Sequence, residues 1–305
     1  MSLNSYHANI RKYYGFLTIL CVIIGFLQPQ FSILSPYIPF LLAILVFSMV
    51  IEHQISDFTR VVKNYKFVIA LITSNLILYP LIGILIGYGL IHQPEIMTGI
   101  ILLCFAPSPV VASLWTELSG GDGTISISAA LFSMMLSIII YPIVLFFMGI
   151  ASPELSLDIL KLLGLSIFVP AIIALFLRVE EEKYIPAKNK ITFLSSFVGL
   201  LIIVVAIAHM ASNVMANELY TIIILAFINI VLLSAGFIYG YLLSKFFRVK
   251  RENGIGFVFT SSMRDGIIPL SVAITYFSSY STIPATILLI VMPFMVVGVY
   301  YLIRS

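Results

Sequence analysis

Ten long apolar segments follow one another along this chain, and they decide what it can fold into. Most are close to 20 residues long, the length at which an α-helix crosses the roughly 30 Å hydrocarbon core of a bilayer. Strands of a membrane barrel would be about 10 residues long and would alternate apolar with polar side chains. The sequence therefore predicts an all-α integral membrane protein with ten transmembrane helices. The segments are residues 14–28, 36–51, 67–91, 96–118, 124–150, 157–177, 191–212, 219–247, 254–277 and 282–303.

The composition excludes a water-soluble fold, because hydrophobic residues make up 61% of the chain and charged residues only 10%. A soluble domain carries about 25% charged residues. No basic run is long enough to follow a phosphate backbone, so we expect a lipid bilayer and no nucleic acid as partner. Cys21 and Cys104 lie in apolar segments without the spacing of a metal site, which predicts two buried free thiols. We expect no metal centre, no cofactor and, without a catalytic constellation at membrane depth, no enzyme. The oligomeric state stays open.

The basic residues predict the orientation of the ten helices. Fourteen of the 16 Lys and Arg residues fall on one side of a ten-helix zigzag. Because cytoplasmic loops are enriched in Lys and Arg, both termini are expected to lie in the cytoplasm of a multi-pass cell-membrane protein. The exceptions are Lys161 and Arg264. The fourteen are Arg11, Lys12, Arg60, Lys63, Lys66, Arg178, Lys183, Lys188, Lys190, Lys245, Arg248, Lys250, Arg251 and Arg304.

Two of the segments are interrupted at matching places in the two halves of the chain. Residues 106–109 of the fourth segment read Ala-Pro-Ser-Pro, and residues 260–266 of the ninth read Thr-Ser-Ser-Met-Arg-Asp-Gly. With five segments in each half, residues 1–152 and 153–305 are predicted to form two inverted repeats. Broken hydrophobic segments at corresponding positions are typical of secondary transporters built in this way. We therefore expect helices 4 and 9 to be broken and to cross near the midplane.

The breaks carry the candidate binding groups. A half-helix that begins near Pro109 presents free N–H groups and the positive end of its dipole. Three hydroxyl side chains occupy the other break, followed by an Arg and an Asp that are costly at membrane depth. A proline kink without a binding role, and an Arg264–Asp265 ion pair, are the structural alternatives. The predicted substrate- and ion-binding residues are Asn75, Ser108, Ser113, Ser126, Thr260, Ser261, Ser262, Arg264 and Asp265.

Ten segments with inverted halves and these two breaks resemble the bile acid:sodium symporter family and the related arsenite permeases. Residues 115–122 read Trp-Thr-Glu-Leu-Ser-Gly-Gly-Asp and are followed by Tyr141-Pro142. This passage resembles the W-x-x-L-x-x-G-D stretch that follows helix 4 in arsenite permeases. The resemblance implies a panel domain of helices 1, 2, 6 and 7, and a core domain of the other six that carries the ion and substrate sites.

The resemblance also assigns roles to particular positions. The first sodium site of the symporters falls on Ala112 and Ser113, Ser126 and Ala130, and Thr260. The second falls on Asn75, Thr260 and Arg264. A hydroxyl and a cation thus replace two of the family's ligands, which implies degraded sodium sites. The Cys and Glu of the arsenite permeases fall on Ser108 and Ile267.

These observations predict a secondary active transporter that moves a small organic anion by alternating access. Arg264 would act as a fixed cation in place of one sodium ion, and coupling to sodium or to a proton, through Asp265, stays open. An arsenite or oxyanion efflux permease is one alternative. A membrane receptor or scaffold that kept the fold without transport is the other.

Overall fold

The structure is a computed structural model that describes residues 16–51, 64–177, 185–213 and 219–304. Within these ranges the chain is almost entirely helical and contains no β-strand. Each of the ten apolar segments contains helix. The helices are α1 (Phe16–Leu27), α2 (Ile38–Val50), α3 (Tyr65–Leu90), α4 (Pro94–Cys104), α5 (Val111–Leu118), α6 (Gly123–Phe147), α7 (Pro153–Phe176), α8 (Ile185–Asn213), α9 (Leu219–Phe246), α10 (Arg251–Ser262), α11 (Ile267–Tyr276) and α12 (Ile283–Arg304).

Eight helical stretches within the described ranges are long and apolar enough to cross a membrane, and α1 and α4 are shorter apolar helices. A short 3₁₀ stretch, Pro29–Tyr37, joins α1 to α2, and another, Ser279–Thr282, precedes α12. Much of the basic pattern used for orientation lies outside the described residues, including Arg11, Lys12, Arg60 and Lys63.

Both predicted breaks are present. The fourth segment is helical up to Cys104 and resumes at Val111, and the ninth is helical up to Ser262 and resumes at Ile267. The two breaks contact each other, because the amide of Asp265 donates to the carbonyl of Pro107 at 2.8 Å. This non-helical amide and carbonyl thus find each other inside the protein, as a nonpolar medium requires.

The ninth segment lies in the interior of the protein. In its most apolar window, 89% of the residues are buried, against 33–50% for the other long apolar stretches. Helix α9 packs closely on α10 through Gly236 and Gly240, which present no side chain to the neighbouring backbone. Small residues four apart permit such close approach of membrane helices. This packing surrounds the break, so that its polar groups can form hydrogen bonds within the protein.

Helix α3 brings polar groups to the same centre. Its middle turn, Ser74–Leu78, is a π-helical turn, and Asn75 and Tyr79 lie in or just after it. A π-turn inserts one residue into the helix and rotates the side chains that follow. Both side chains are almost fully buried and reach the break between α10 and α11.

Candidate functional site

A cavity of about 350 Å³ lies against the two breaks. One wall comes from the first break and α5, with Pro109, Val110 and Ser113, and from the second break, residues 263–267. The facing walls come from α1, α2, α8 and α12. Most of the lining side chains are apolar. The polar exceptions on these walls include Thr18, Ser48, Ser195 and Ser196.

The first turn of α5 offers unsatisfied amides to this cavity. Neither the N–H of Val110 nor that of Val111 has a backbone partner among the described residues, and both residues line the cavity. The amides of Ala112 and Ser113 instead donate to Pro109 and Val110 at 3.0 Å each. Free N–H groups at a helix N-terminus attract anions. The predicted anion-binding end of this half-helix therefore faces an accessible space.

Arg264 belongs to the lining, but its guanidinium points into the protein. Nη1 donates to Oδ1 of Asn75, Nη2 donates to the carbonyl of Ser261 at 3.2 Å, and Cζ lies 3.6 Å from the ring centroid of Tyr79. The residue is 1% exposed, and its Nε has no hydrogen-bond partner among the described residues. Asn75 and Tyr79 do not line the cavity. The positive charge is therefore held behind the wall of the cavity.

These contacts account for an arginine at this depth. Insertion scales assign it a cost of about 2.5–3.5 kcal/mol at a helix centre. Hydrogen bonds to a charged group contribute about 1.5–3 kcal/mol each, and a desolvated cation–π contact about 2 kcal/mol. The Arg264–Asp265 ion pair considered from the sequence does not form, because the two side chains have separate partners.

Asp265 has a different environment from its neighbour. Its Oδ1 accepts hydrogen bonds from the amides of Ile267 at 2.7 Å and Ile268 at 3.1 Å, and so caps α11. Oδ2 makes no hydrogen bond to a described residue, and Asp265 lines the cavity although only 6% of the residue is exposed. One carboxylate oxygen thus caps the helix, and the other has no hydrogen-bond partner among the described residues.

The three hydroxyls of the second break lie away from the cavity. Thr260 donates to the carbonyl of Gly256 at 2.6 Å, and Ser262 to that of Val258 at 2.7 Å. The hydroxyl of Ser261 is buried and has no hydrogen-bond partner in the part of the chain that the structure describes. Hydroxyl side chains in membrane helices commonly bond the preceding turn in this way. The sequence places these residues in the right segment but does not reveal which way they point.

The serines predicted from the first half have structural contacts too. Ser108 donates to the carbonyl of Thr260 across the two breaks, and its amide donates to Oγ of Ser133 at 3.1 Å. Ser126 pairs with Thr116 at 2.9 Å, hydroxyl to hydroxyl. Ser113 bonds the carbonyl of Val110 at 2.8 Å and is the one of the three predicted serines that lines the cavity.

Sequence analysis missed Tyr79, which is central to the site. Its ring lies against the guanidinium of Arg264, and its hydroxyl donates to the carbonyl of Ser262, the last residue of α10. The signal in the sequence is a tyrosine one helical turn after Asn75 in an apolar segment. A phenol that is buried there needs a hydrogen-bond partner. The pair Gly236 and Gly240 was missed as well, although its G-x-x-x-G spacing is readable.

Both free thiols are buried, and neither lines the cavity. Trp115 of the arsenite-permease-like passage does line it, and its ring packs edge-on against Tyr300 with centroids 6.0 Å apart. Asp122, which ends that passage, caps α6 by accepting from the amide of Thr124 at 3.0 Å. The passage is thus explained by helix capping and packing around α5.

Comparison with known proteins identifies the family. The profile described as the sodium bile acid symporter family matches residues 39–218, more than half of the chain. The chain belongs to this family. A search of curated proteins gave no match. Sodium bile acid symporters are membrane transporters rather than enzymes, and the several apolar helices make this member a multi-pass membrane protein.

Proposed function

We propose that the protein is a secondary active transporter that moves a small amphipathic organic anion across the cell membrane. The observation that carries this proposal is the cavity at the two contacting breaks, lined mostly by apolar side chains and by Val110 and Val111, whose amides have no backbone partner among the described residues. Amides at a helix N-terminus suit a carboxylate or a sulfonate. The apolar walls suit a hydrophobic body attached to that group.

The architecture we propose has ten membrane helices in two inverted repeats, residues 1–152 and 153–305. The contact of Asp265 with Pro107 supports a crossing of two broken helices from the two repeats. Walls contributed by α1, α2 and α8 face the breaks, which supports a panel of helices moving against a core that carries the site. Alternating access would then expose the same cavity to either side.

We further propose that both termini are cytoplasmic and that the cavity of this structure opens to that side. Its lining reaches Thr18 near the start of α1, Glu117 near the end of α5 and Val296 in the second half of α12. In a ten-helix arrangement these positions lie on the side that carries the basic loops.

The fixed cation is Arg264 in this proposal. The family resemblance assigns Asn75 and Arg264 to the second sodium site, and the guanidinium donates directly to Oδ1 of Asn75. An amide oxygen that would serve sodium is thereby used, and a positive charge already lies at the position. A second cation beside it would be repelled. We therefore propose that this member needs fewer sodium ions than the family description implies.

Uptake into proteoliposomes tests the proposal. Taurocholate, a conjugated bile acid, is the probe, with sodium and pH gradients imposed separately. We expect uptake that persists without sodium and falls at least tenfold in Arg264→Gln, because the fixed charge is lost. Strict sodium dependence that Arg264→Gln leaves unaltered would contradict the fixed-cation role. Binding of taurocholate without any uptake or exchange would favour the receptor alternative.

Arsenite efflux gains no support from the cavity. As(III) is bound by thiolates, and the described lining residues include no cysteine. Ser108, at the position of the arsenite permeases' Cys, is fully buried and bonded to Thr260. Protection of an expressing strain against arsenite would revive that alternative.

A further inference from the structure

We propose that Asp265 is the proton-binding residue that couples solute binding to a pH gradient. The proposal rests on the proposed transport function and adds the coupling ion to it. It starts from one observation: Asp265 lines the cavity while more than nine-tenths buried, its Oδ2 has no hydrogen bond to a described residue, and its Oδ1 accepts from the amides of Ile267 and Ile268.

An ionised Asp265 and an anionic solute are incompatible in one small cavity. At an effective dielectric constant of about 20 and a separation of about 6 Å, two like charges weaken binding about 100-fold. A proton on Oδ2 removes this repulsion and turns that oxygen into a hydrogen-bond donor toward the solute. Proton and anion then bind with positive cooperativity, which by linkage is reciprocal.

Protonation also acts on the break itself. Hydrogen bonds to a carboxylate are roughly twice as strong as those to a neutral group. Neutralising Asp265 therefore weakens the cap on α11, whose first residue, Ile267, is part of the cavity wall. The charge state of one side chain thus bears on both solute affinity and the geometry of the broken helix.

Among the described residues, no other ionisable group lines the cavity at the breaks with a side chain free to bind a proton. Arg264 is turned toward α3, where it contacts Tyr79, and Tyr141 of α6 donates its hydroxyl to a carbonyl of α4 at 2.8 Å. Cys104 of α4 is buried outside the cavity. Glu117 also lines the cavity, but it lies near the other end of α5, about 9 Å along the helix from Val111. The described lining residues of α1, α2, α8 and α12 include none that ionises near neutral pH.

Sodium is the less suitable ion at this carboxylate. It needs several oxygen ligands, whereas a proton needs only Oδ2. The second oxygen is already committed to two amides, and the adjacent residue is a cation. A proton therefore suits this carboxylate better than sodium does.

Asp265→Asn is the decisive variant, because its amide oxygen can still cap α11 while the group no longer titrates. Asp122→Asn is the matched control: Asp122 also accepts from the amides two and three residues on, those of Thr124 and Ile125, but does not line the cavity. Taurocholate is the probe, since its sulfonate stays ionised over the pH range and any pH dependence belongs to the protein.

In proteoliposomes, we expect an inward proton gradient to drive taurocholate accumulation by the wild type and by Asp122→Asn. In Asp265→Asn, this accumulation should be at least tenfold lower. The variant should still exchange internal for external taurocholate when no gradient is imposed. Gradient-driven accumulation by Asp265→Asn at the wild-type level would overturn the proposal. So would accumulation by the wild type with a sodium gradient alone, unaffected by a pH gradient.

A readout without solute separates this inference from the proposed function. Infrared difference spectra of purified protein between acid and alkaline pH should contain the carbonyl band of a protonated carboxylic acid that is absent in Asp265→Asn and present in Asp122→Asn. If the wild type showed no uptake and no exchange of taurocholate, that result would count against the transport proposal. The infrared band would still decide the role of Asp265. Identical spectra for wild type and Asp265→Asn would overturn that role.

Discussion

At the scale of single residues, Arg264 and Asp265 are neighbours in sequence with opposite surroundings. The guanidinium is enclosed by Asn75, Tyr79 and the end of α10, whereas Asp265 lines the cavity and caps α11 with one oxygen. Their adjacency suggested an ion pair. The extended backbone at Met263, with ψ of 143°, follows the end of α10 and begins the non-helical stretch in which the two side chains diverge.

Tyr79→Phe tests the cap on α10. The change leaves the carbonyl of Ser262 buried without its donor, so we expect a loss of about 1–3 kcal/mol in the free energy of unfolding and a lower Tm in detergent. The ring, and with it the contact to Arg264, is retained. Tyr220→Phe, at a tyrosine that is 77% exposed, should leave the Tm unchanged. An equal Tm for both variants would argue against the cap.

Arg264→Lys separates charge from geometry. Lysine keeps the positive charge, but its ammonium cannot lie flat on Tyr79 and bond Asn75 and Ser261 together as the planar fork does. We expect sodium-independent taurocholate uptake between those of the wild type and Arg264→Gln, with a Tm below that of the wild type. Uptake by the lysine variant as low as that of the glutamine variant would mean that the hydrogen bonds, rather than the charge, matter.

At the scale of helices, the site depends on how closely α9 approaches α10. A Cβ built on Gly240 would lie 2.8 Å from Cα of Val258, and one on Gly236 would lie 2.6 Å from Cα of Ser262. Backbone atoms cannot move aside as a flexible side chain can. The helix that ends at the second break is therefore held in place by two glycines that lie outside the site.

Gly240→Ala should push α9 and α10 apart. We expect a loss of about 1–3 kcal/mol in stability, as for overpacked cores, together with reduced uptake because the break shifts. Gly298→Ala is the control, since a Cβ on Gly298 in α12 would meet nothing within 4 Å. That variant should be neutral or slightly more stable, given the higher helix propensity of alanine. A stable, active Gly240→Ala protein would show that the two helices can separate freely.

At the scale of the whole molecule, the cavity lies between helices that are far apart in sequence. Its walls join the start of α1 to the middle of α12 and the first break to the second, so no local pattern predicts its shape. We expect the cavity to close toward the cytoplasm and open outward during transport. The structure corresponds to the inward-open end of that cycle in our proposal.

Cysteine labelling tests the direction of opening. Ser196→Cys should react with a membrane-impermeant maleimide in inside-out vesicles, and taurocholate should slow the reaction, since residue 196 lines the cavity. Ser271→Cys, at a fully buried position outside the cavity, is the control and should stay unlabelled. The native thiols, Cys21 and Cys104, are buried and give a low background. Faster labelling in right-side-out vesicles would reverse the proposed orientation.

The sequence by itself determined that the chain is a helical membrane protein with two interrupted segments, because apolar length and proline placement are local properties. It also pointed to the family, through the number of apolar segments and the matching positions of the two breaks. Only the tertiary structure decided the roles within the site. The predicted hydroxyls of Thr260 and Ser262 bond their own helix, the ring of Tyr79 packs against the guanidinium of Arg264, and Asp265 lines the cavity. The direction of a side chain depends on packing between distant segments, and residue type alone does not encode it.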